Sequence, residues 1–142
     1  YTPWLQDELV AVVRADSRYA ATESLTVDDL THIPLVLREP GSGTLAIWQS
    51  ALAQHRLSPG SLQVIAQLGS SEAIKQFISN YDAMAILSIR AVRRELWEGR
   101  LKLIELKDLP LKRLFHIVQR QGQENSLSED FLRYLHSCEH AL

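Results

Sequence analysis

A buried strand, a turn rich in Gly and Ser, and an amphipathic helix follow one another twice between residues 34 and 81. The first unit runs from the apolar strand Pro34–Leu37 into a helix over residues 44–55, and the second from Leu62–Leu68 into a helix that ends near Tyr81. Successive strand–helix–strand units place parallel strands in one sheet and pack the helices on its faces. The sequence therefore predicts an α/β fold.

Further short apolar runs continue this alternation along the chain. Strands are predicted at Glu8–Arg14, Ala83–Leu87, Leu101–Leu106 and Leu114–Gln119, and helices at Ile89–Leu96 and from Ser126 onwards. The hydroxyls of Ser88 and Ser126 are expected to cap these two helices, because serine favours the N-cap position. The regular alternation predicts a largely parallel, twisted sheet.

Composition limits the class of protein. A chain of 142 residues that is 46% hydrophobic and 23% charged is typical of a globular domain with a substantial core. The formal net charge of -2 argues against a nucleic-acid-binding surface in this segment. Cys138 is the single cysteine, so we expect no internal disulfide and a reducing, cytoplasmic location. No apolar run approaches the roughly 20 residues that cross a bilayer, so no membrane partner is expected.

The two Gly/Ser turns form the candidate ligand site. The first turn offers Ser42, Gly43 and Thr44, and the second offers Ser70 and Ser71. In open α/β sheets, ligands bind beyond the carboxyl ends of the strands, where such turns lie. Hydroxyls, backbone N–H groups and the positive end of a helix dipole together suit a small anion. The alternative is that these hydroxyls only cap helices.

Other chemistries find little support in the sequence. The turn Gly41–Thr44 lacks the Lys-Ser/Thr ending of a P-loop, and no dinucleotide fingerprint is present, so no nucleotide cofactor is expected. His136 and His140 lie four positions apart without an acidic partner on that helix face, so no metal site is expected. Ser42 and Ser70 lack a nucleophilic elbow, so we expect no enzyme activity.

The order of several short motifs along the chain indicates a protein family. They are Asp7-Glu8-Leu9-Val10, Thr26-Val-Asp-Asp-Leu30, the stretch from Pro34 to Thr44, Leu68-Gly-Ser-Ser-Glu-Ala-Ile-Lys75, Ala85-Ile-Leu-Ser88, Ala91-Val92, Glu95-Leu96, Gly99-x-Leu101, Arg113 and Leu127-Ser128. No single motif is specific. Their order and spacing together closely resemble the effector-binding domain of LysR-type transcriptional regulators, from Asp7 to the final helix.

The resemblance implies a type 2 periplasmic-binding-protein-like fold, in which two crossing strands join two α/β subdomains. Residues 1–14 would hold part of subdomain I and the first crossover strand, and residues 15–112 a complete, Rossmann-like subdomain II. Residues 113–142 would hold the second crossover strand and a C-terminal helix that returns to the partial subdomain I. The family's winged helix-turn-helix and the first part of subdomain I would precede Tyr1.

The resemblance also implies which residues touch the effector. The positions that match effector-contacting turns are Ser42, Gly43, Thr44, Ser70 and Ser71. Many relatives carry a Gly-x-Gly-Ile-Ala-like stretch before the fourth strand, but this chain has no glycine from Asn80 to Ala85. Tyr81 and Asp82 are therefore further candidates for lining the cleft. The alternative for Tyr81 is that it ends the apolar stripe of its helix.

By the same resemblance, the chain would sense a small, anionic metabolite in the cleft between the subdomains. Binding would control transcription through the rearrangement of a homodimer or homotetramer. DNA would be reached only through the absent N-terminal domain, RNA polymerase would be a further partner, and no cofactor would be needed. The alternative is a solute-binding receptor of a transport system, which has the same architecture.

Overall fold

The computed structural model describes residues 1–120, 122 and 125–138. These residues form strands and helices in the order β1 (Thr2–Arg14), β2 (Ser24–Leu25), β3 (Pro34–Arg38), α1 (Gly43–Gln54), β4 (Gln63–Leu68), α2 (Ser71–Asn80), β5 (Met84–Ser88), α3 (Ile89–Trp97), β6 (Leu101–Leu106), β7 (Lys112–Ile117) and α4 (Ser126–Ser137). Short 3-10 turns lie at Asp28–His32 and Pro59–Ser61. The predicted alternation of strands and helices, and with it the α/β class, is confirmed.

The chain divides into two compact units. The smaller unit comprises residues 1–7 and 114–142, and the larger unit comprises residues 8–113. Both divisions fall inside strands, so β1 and β7 each continue from one unit into the other. The division into subdomains at residues 14 and 112 stays a prediction.

The main sheet has the strand order β2-β6-β1-β5-β3-β4, and β7 also pairs with β1. β3 pairs in parallel with β4 on one side and with β5 on the other. The helices α1 and α2 make the connections between these three strands. Their carboxyl ends therefore lie at one edge of the sheet, and the turns into α1, α2 and α3 follow them there.

The central strand β1 runs antiparallel to β5 and to β6. Val12 lies opposite Ala85 of β5 on one side and opposite Leu103 of β6 on the other. The pairs β2–β6, β3–β4 and β3–β5 are parallel, as predicted, but the sequence did not predict the antiparallel β1 that makes the sheet mixed. β5, α3 and β6 still form a crossover between strands that point the same way, with β1 inserted between them. An apolar run indicates a strand but contains no information about its direction.

The core of the larger unit consists of two clusters. Neighbouring residues of β3 point to opposite faces of the sheet, because side chains alternate along a strand. Leu35 belongs to the cluster that contains Trp48 of α1, and Val36 belongs to the cluster that contains Ile74 of α2. Both faces of β3 and β5 are therefore covered, which explains why these strands read as continuous apolar runs.

In the smaller unit, the cap of α4 differs from the prediction. The side chain of Asn125, not Ser126, accepts a hydrogen bond from the backbone N–H of Ser128, at 2.8 Å. Ser126 is the first helical residue, so the helix begins as predicted but its cap lies one position earlier. Both residue types favour the N-cap, which is why the pattern could not separate them.

Candidate functional site

The first Gly/Ser turn leads from β3 into α1. The oxygen of the Ser42 side chain caps α1 by accepting a hydrogen bond from the backbone N–H of Thr44, at 3.1 Å. Gly41 has a φ of 93°, a left-handed conformation that glycine adopts without strain. Ser42 and Thr44 are buried, with 9% and 6% of their surface exposed. The Ser42 hydroxyl keeps its own hydrogen for donation, because capping uses only its oxygen.

The second turn leads from β4 into α2, and here too a serine side chain caps the helix. The Ser70 side chain accepts a hydrogen bond from the backbone N–H of Ala73, at 3.1 Å. Ser71 is the first helical residue and is only partly exposed, whereas Ser70 is exposed. Ser42 and Ser70 thus cap their helices, and their contact with an effector stays a prediction.

The structure brings the two turns to adjacent positions. Arg38 at the end of β3 lies opposite Leu68 at the end of β4 in the parallel register. The backbone N–H of Glu39, the first residue of one turn, donates to the carbonyl oxygen of Leu68, at 3.2 Å. The N-termini of α1 and α2 therefore begin from neighbouring strands at one edge of the sheet.

A surface cavity of about 390 Å³ adjoins the first turn. It is lined by Pro40, Gly41, Ser42, Gly43, Leu45, Ala46, Gln49 and Gln67. Two of the predicted effector contacts, Ser42 and Gly43, thus face one cavity. Thr44, Ser70 and Ser71 do not line it, so it does not unite all five predicted positions.

Two arginines lie close to the first turn. Arg38 binds Glu39 through two hydrogen bonds, at 2.8 and 3.0 Å, which raise the pKa of the guanidinium and lower that of the carboxylate. Arg113, at the start of β7, donates from Nη1 to Oγ1 of Thr44, at 3.2 Å. The Thr44 hydroxyl therefore contacts Arg113. Sequence reasoning used Arg113 only as part of a family motif, because no local pattern connects it with Thr44.

A third cap lies at the same edge. Ser88 ends β5 and accepts a hydrogen bond from the backbone N–H of Arg90, at 3.2 Å, at the start of α3. β5 is a parallel neighbour of β3, so Ser88 follows a strand that ends on the same side as the first two turns. The sequence predicted this cap correctly. It gave no reason to include Ser88 in the site, because strand order is not visible in the pattern.

Tyr81 and Asp82 lie elsewhere. They precede β5, whose Met84 lies opposite Leu35 near the start of β3, so they occupy the sheet edge opposite the serine turns. The ring of Tyr81, which is 62% exposed, stacks on that of Phe77 with the centroids 4.9 Å apart. The structure does not bring this pair together with Ser42 or Ser70.

The Asp82 carboxylate has partners of its own. It accepts a hydrogen bond from the Ser17 hydroxyl and further ones from the Arg18 side chain and backbone, at 2.9 and 3.3 Å. Burial acts to raise the pKa of Asp82, but these hydrogen bonds outweigh it and leave the pKa below its ordinary value. Hydrogen bonds to Asp82 thus connect the loop after β1 to the start of β5.

Metal and membrane features can be assessed only for part of the chain. Among residues 1–120, 122 and 125–138, no three His, Cys, Asp or Glu side chains form a group that could hold a metal ion. His140, one member of the histidine pair noted in the sequence, lies outside the described residues. In the same part of the chain, no helix combines the length and apolar character that crossing a bilayer requires.

A comparison with known protein families identifies the family of this chain. The model of the LysR substrate binding domain matches residues 1–138. The chain belongs to this family. The resemblance drawn from the sequence motifs is therefore confirmed.

Similar curated proteins include two bacterial regulators. An uncharacterized HTH-type transcriptional regulator of Escherichia coli (strain K12), YeiE, is 34% identical over 140 residues, which cover 98% of this chain and 45% of that protein. The RuBisCO operon transcriptional regulator of Acidithiobacillus ferrooxidans is 31% identical over 128 residues, covering 89% of this chain and 40% of that protein. The chain thus spans less than half the length of these relatives.

Solved structures confirm the fold. The Synechocystis PCC6803 CcmR regulatory domain in complex with 2-PG is 27% identical and aligns with a TM-score of 0.83 over 97% of this chain and 65% of that chain. The effector binding domain of QuiR in complex with shikimate aligns with a TM-score of 0.79 over 99% of this chain and 65% of that chain, at 16% identity. The second likeness concerns the fold alone. The periplasmic-binding-protein-like architecture expected from the sequence is confirmed.

Proposed function

We propose that this chain is the effector-sensing part of a LysR-type transcription regulator and that a small anion binds at the turns into α1 and α2. One observation carries the proposal: in a chain of this family, two helix N-termini capped by Ser42 and Ser70 start from adjacent parallel strands. The relatives reported above are named as transcriptional regulators, which supports a role in binding rather than in catalysis or transport.

The chemistry of the turns supports an anionic ligand. The first N–H groups of a helix have no partner within the helix, and the helix dipole places partial positive charge beside them. The hydroxyls of Ser42 and Ser70 can donate to a ligand oxygen while their oxygens stay engaged as caps. A carboxylate or phosphate group accepts hydrogen bonds from donors of this kind.

Regulation would follow from differential affinity. A ligand that binds one arrangement of the protein more tightly than another shifts the population towards the first. We propose that this shift acts on a homodimer or homotetramer, that DNA binding resides in a winged helix-turn-helix outside this chain, and that RNA polymerase responds at the promoter. We place the protein in the cytoplasm and assign it no cofactor.

The first ligands to test come from the structural relatives. 2-PG, which is bound by the CcmR regulatory domain, is the first probe because that domain is the more similar in sequence, at 27% identity. Shikimate and inorganic phosphate serve as a second organic probe and a minimal anion. A site of this kind at about a hundredfold excess of ligand over Kd stabilises the protein by about 2.7 kcal/mol.

The experiment is a thermal-shift titration of the full-length protein with these three probes. We expect at least one to raise Tm, and we expect Ser42→Ala to reduce that rise. Asn125→Ala is the matched control, because it also removes a helix cap but lies outside the turns. Failure of every probe to raise Tm at millimolar concentration, or an equal loss of the rise in both variants, would contradict the proposed site.

A further inference from the structure

The helix α1 is attached at both of its ends to the segment of residues 108–113. At its first turn, the Thr44 hydroxyl accepts the hydrogen bond from Arg113, at 3.2 Å. At its C-terminal end, Nε2 of His55 donates to the carbonyl oxygen of Asp108, at 2.7 Å. With a rise of 1.5 Å per residue, these two contacts lie about 16 Å apart along the helix axis.

Apolar packing joins the same two elements between these contacts. Leu109 and Leu111 are 4% and 2% exposed, and they belong to the core cluster that also contains Leu45, Trp48 and Leu52 of α1. Packed interiors are close to crystalline density, so a shift of one member displaces its neighbours. The helix and the segment therefore contribute to the same packed core.

The first residue of the segment has a costly backbone conformation. Asp108 has a φ of 59°, in the left-handed region that residues other than glycine rarely adopt. Such conformations persist where the surrounding structure holds them in place. The hydrogen bond from His55 to the carbonyl oxygen of Asp108 supplies such a restraint.

The segment leads directly into a strand that leaves the larger unit. β7 begins at Lys112, and the division between the two units falls between Arg113 and Leu114. Arg113 is thus the last residue of the larger unit, and its side chain contacts the turn where α1 begins. Any displacement of that turn acts on the backbone at the point where β7 passes from one unit to the other.

We propose that α1 and residues 108–113 move as one element, and that the Thr44–Arg113 contact transmits occupancy of the Ser42–Thr44 turn to β7. This inference rests on the proposed ligand site at that turn. A bound anion attracts the hydroxyls and the guanidinium together, so the Thr44–Arg113 contact differs between the bound and free states. Arg113 is a positioning residue in this scheme, because it acts through the strand it begins.

Amide hydrogen exchange of the full-length protein tests the proposal. Peptides that cover β7 are followed with and without 2-PG or inorganic phosphate, at concentrations that give equal occupancy in every variant. In the wild type, we expect the ligand to change exchange in β7 by about fivefold, the effect of one hydrogen bond. Arg113→Gln and His55→Ala should lose this response, and Arg113→Lys should regain part of it.

Arg94→Gln is the matched control. Arg94 is an arginine on α3 whose side chain is 82% exposed and pairs with Glu98, at 2.8 Å. This variant should keep the full response. A wild-type response of β7 in both Arg113→Gln and His55→Ala would overturn the coupling and leave the ligand site in place. Absence of binding of both probes by the wild type would overturn the ligand site and the coupling with it.

Discussion

The two ion pairs of Lys75 allow a test of how burial changes the stability that an ion pair contributes. Lys75 of α2 binds the carboxylates of Glu95 and Glu72, with N–O distances of 2.8 and 2.7 Å. The Glu95 side chain is 10% exposed, and that of Glu72 is 82% exposed. Lys75 also donates to the carbonyl oxygen of Ala91, at 2.9 Å, so it joins α2 to α3.

Replacing Lys75 by methionine leaves the Glu95 carboxylate in a buried position without its main partner. Loss of a charge-assisted hydrogen bond costs about 1.5–3 kcal/mol, and breaking a fully buried pair costs about 3–5 kcal/mol. Arg100 remains as a second cation, at 3.8 Å, and reduces the loss. We therefore expect Lys75→Met to lower the free energy of unfolding by about 2–3 kcal/mol.

The pH dependence of this loss has a definite sign. Burial acts to raise the pKa of Glu95, but the hydrogen bond and charge of Lys75, a backbone hydrogen bond and the charge of Arg100 together outweigh it, so the pKa in the folded state is lowered. The pair therefore stabilises the protein above the ordinary pKa of glutamate, and this contribution disappears as the pH falls through the lowered value. The deficit of Lys75→Met should accordingly shrink as the pH falls from 7 through the ordinary glutamate pKa of about 4.3.

Urea denaturation of three variants provides the measurement. Glu72→Gln removes the exposed partner of the same lysine and should cost less than about 0.5 kcal/mol. The double variant Lys75→Met/Glu95→Leu should recover most of the stability, because an apolar pair can replace a buried ion pair. Equal losses in Lys75→Met and Glu72→Gln would refute the reasoning from burial.

Three further predictions concern local interactions. Ser70→Ala should destabilise the protein to urea by about 1 kcal/mol, because it removes the cap of α2. Asn125→Ala should speed amide exchange in α4 and Ser126→Ala should not; similar effects of both would contradict the observed cap. Asp82→Asn should cost about 1–2 kcal/mol at neutral pH. Because the pKa of Asp82 is lowered, this difference in urea stability should shrink as the pH falls below the ordinary aspartate pKa of about 3.9, and a difference that stays constant there would contradict the assignment.

The sequence was sufficient to predict features that depend only on residues close together along the chain. Apolar runs located the strands, and hydroxyl residues before helical patterns located the cap at Ser88 and limited the other two caps to Ser42 or Thr44 and Ser70 or Ser71. These features are local, since a cap satisfies an N–H group two or three positions away. The adjacency of the two turns also followed from the α/β pattern, because parallel strands end at a common edge.

Contacts between distant parts of the chain could not be predicted in this way. Arg113 and Thr44 are separated by 69 positions, and Ser17 and Asp82 by 65. Periodicity contains no information about which strands become neighbours or in which direction they run. For the same reason, Asp82 was proposed as a cleft residue, whereas the strand register places it at the edge opposite the Gly/Ser turns.

The central sheet divides the interior of the larger unit into two apolar cores, and each core can accept substitutions independently of the other. Leu35 and Val36 are adjacent in sequence, yet they contribute to cores that share no buried member. Substitutions at residues without shared partners tend to have additive effects on stability. Core substitutions around Trp48 beneath α1 therefore need no compensating substitutions around Ile74 beneath α2. The two turns of the candidate site can thus change in sequence one at a time.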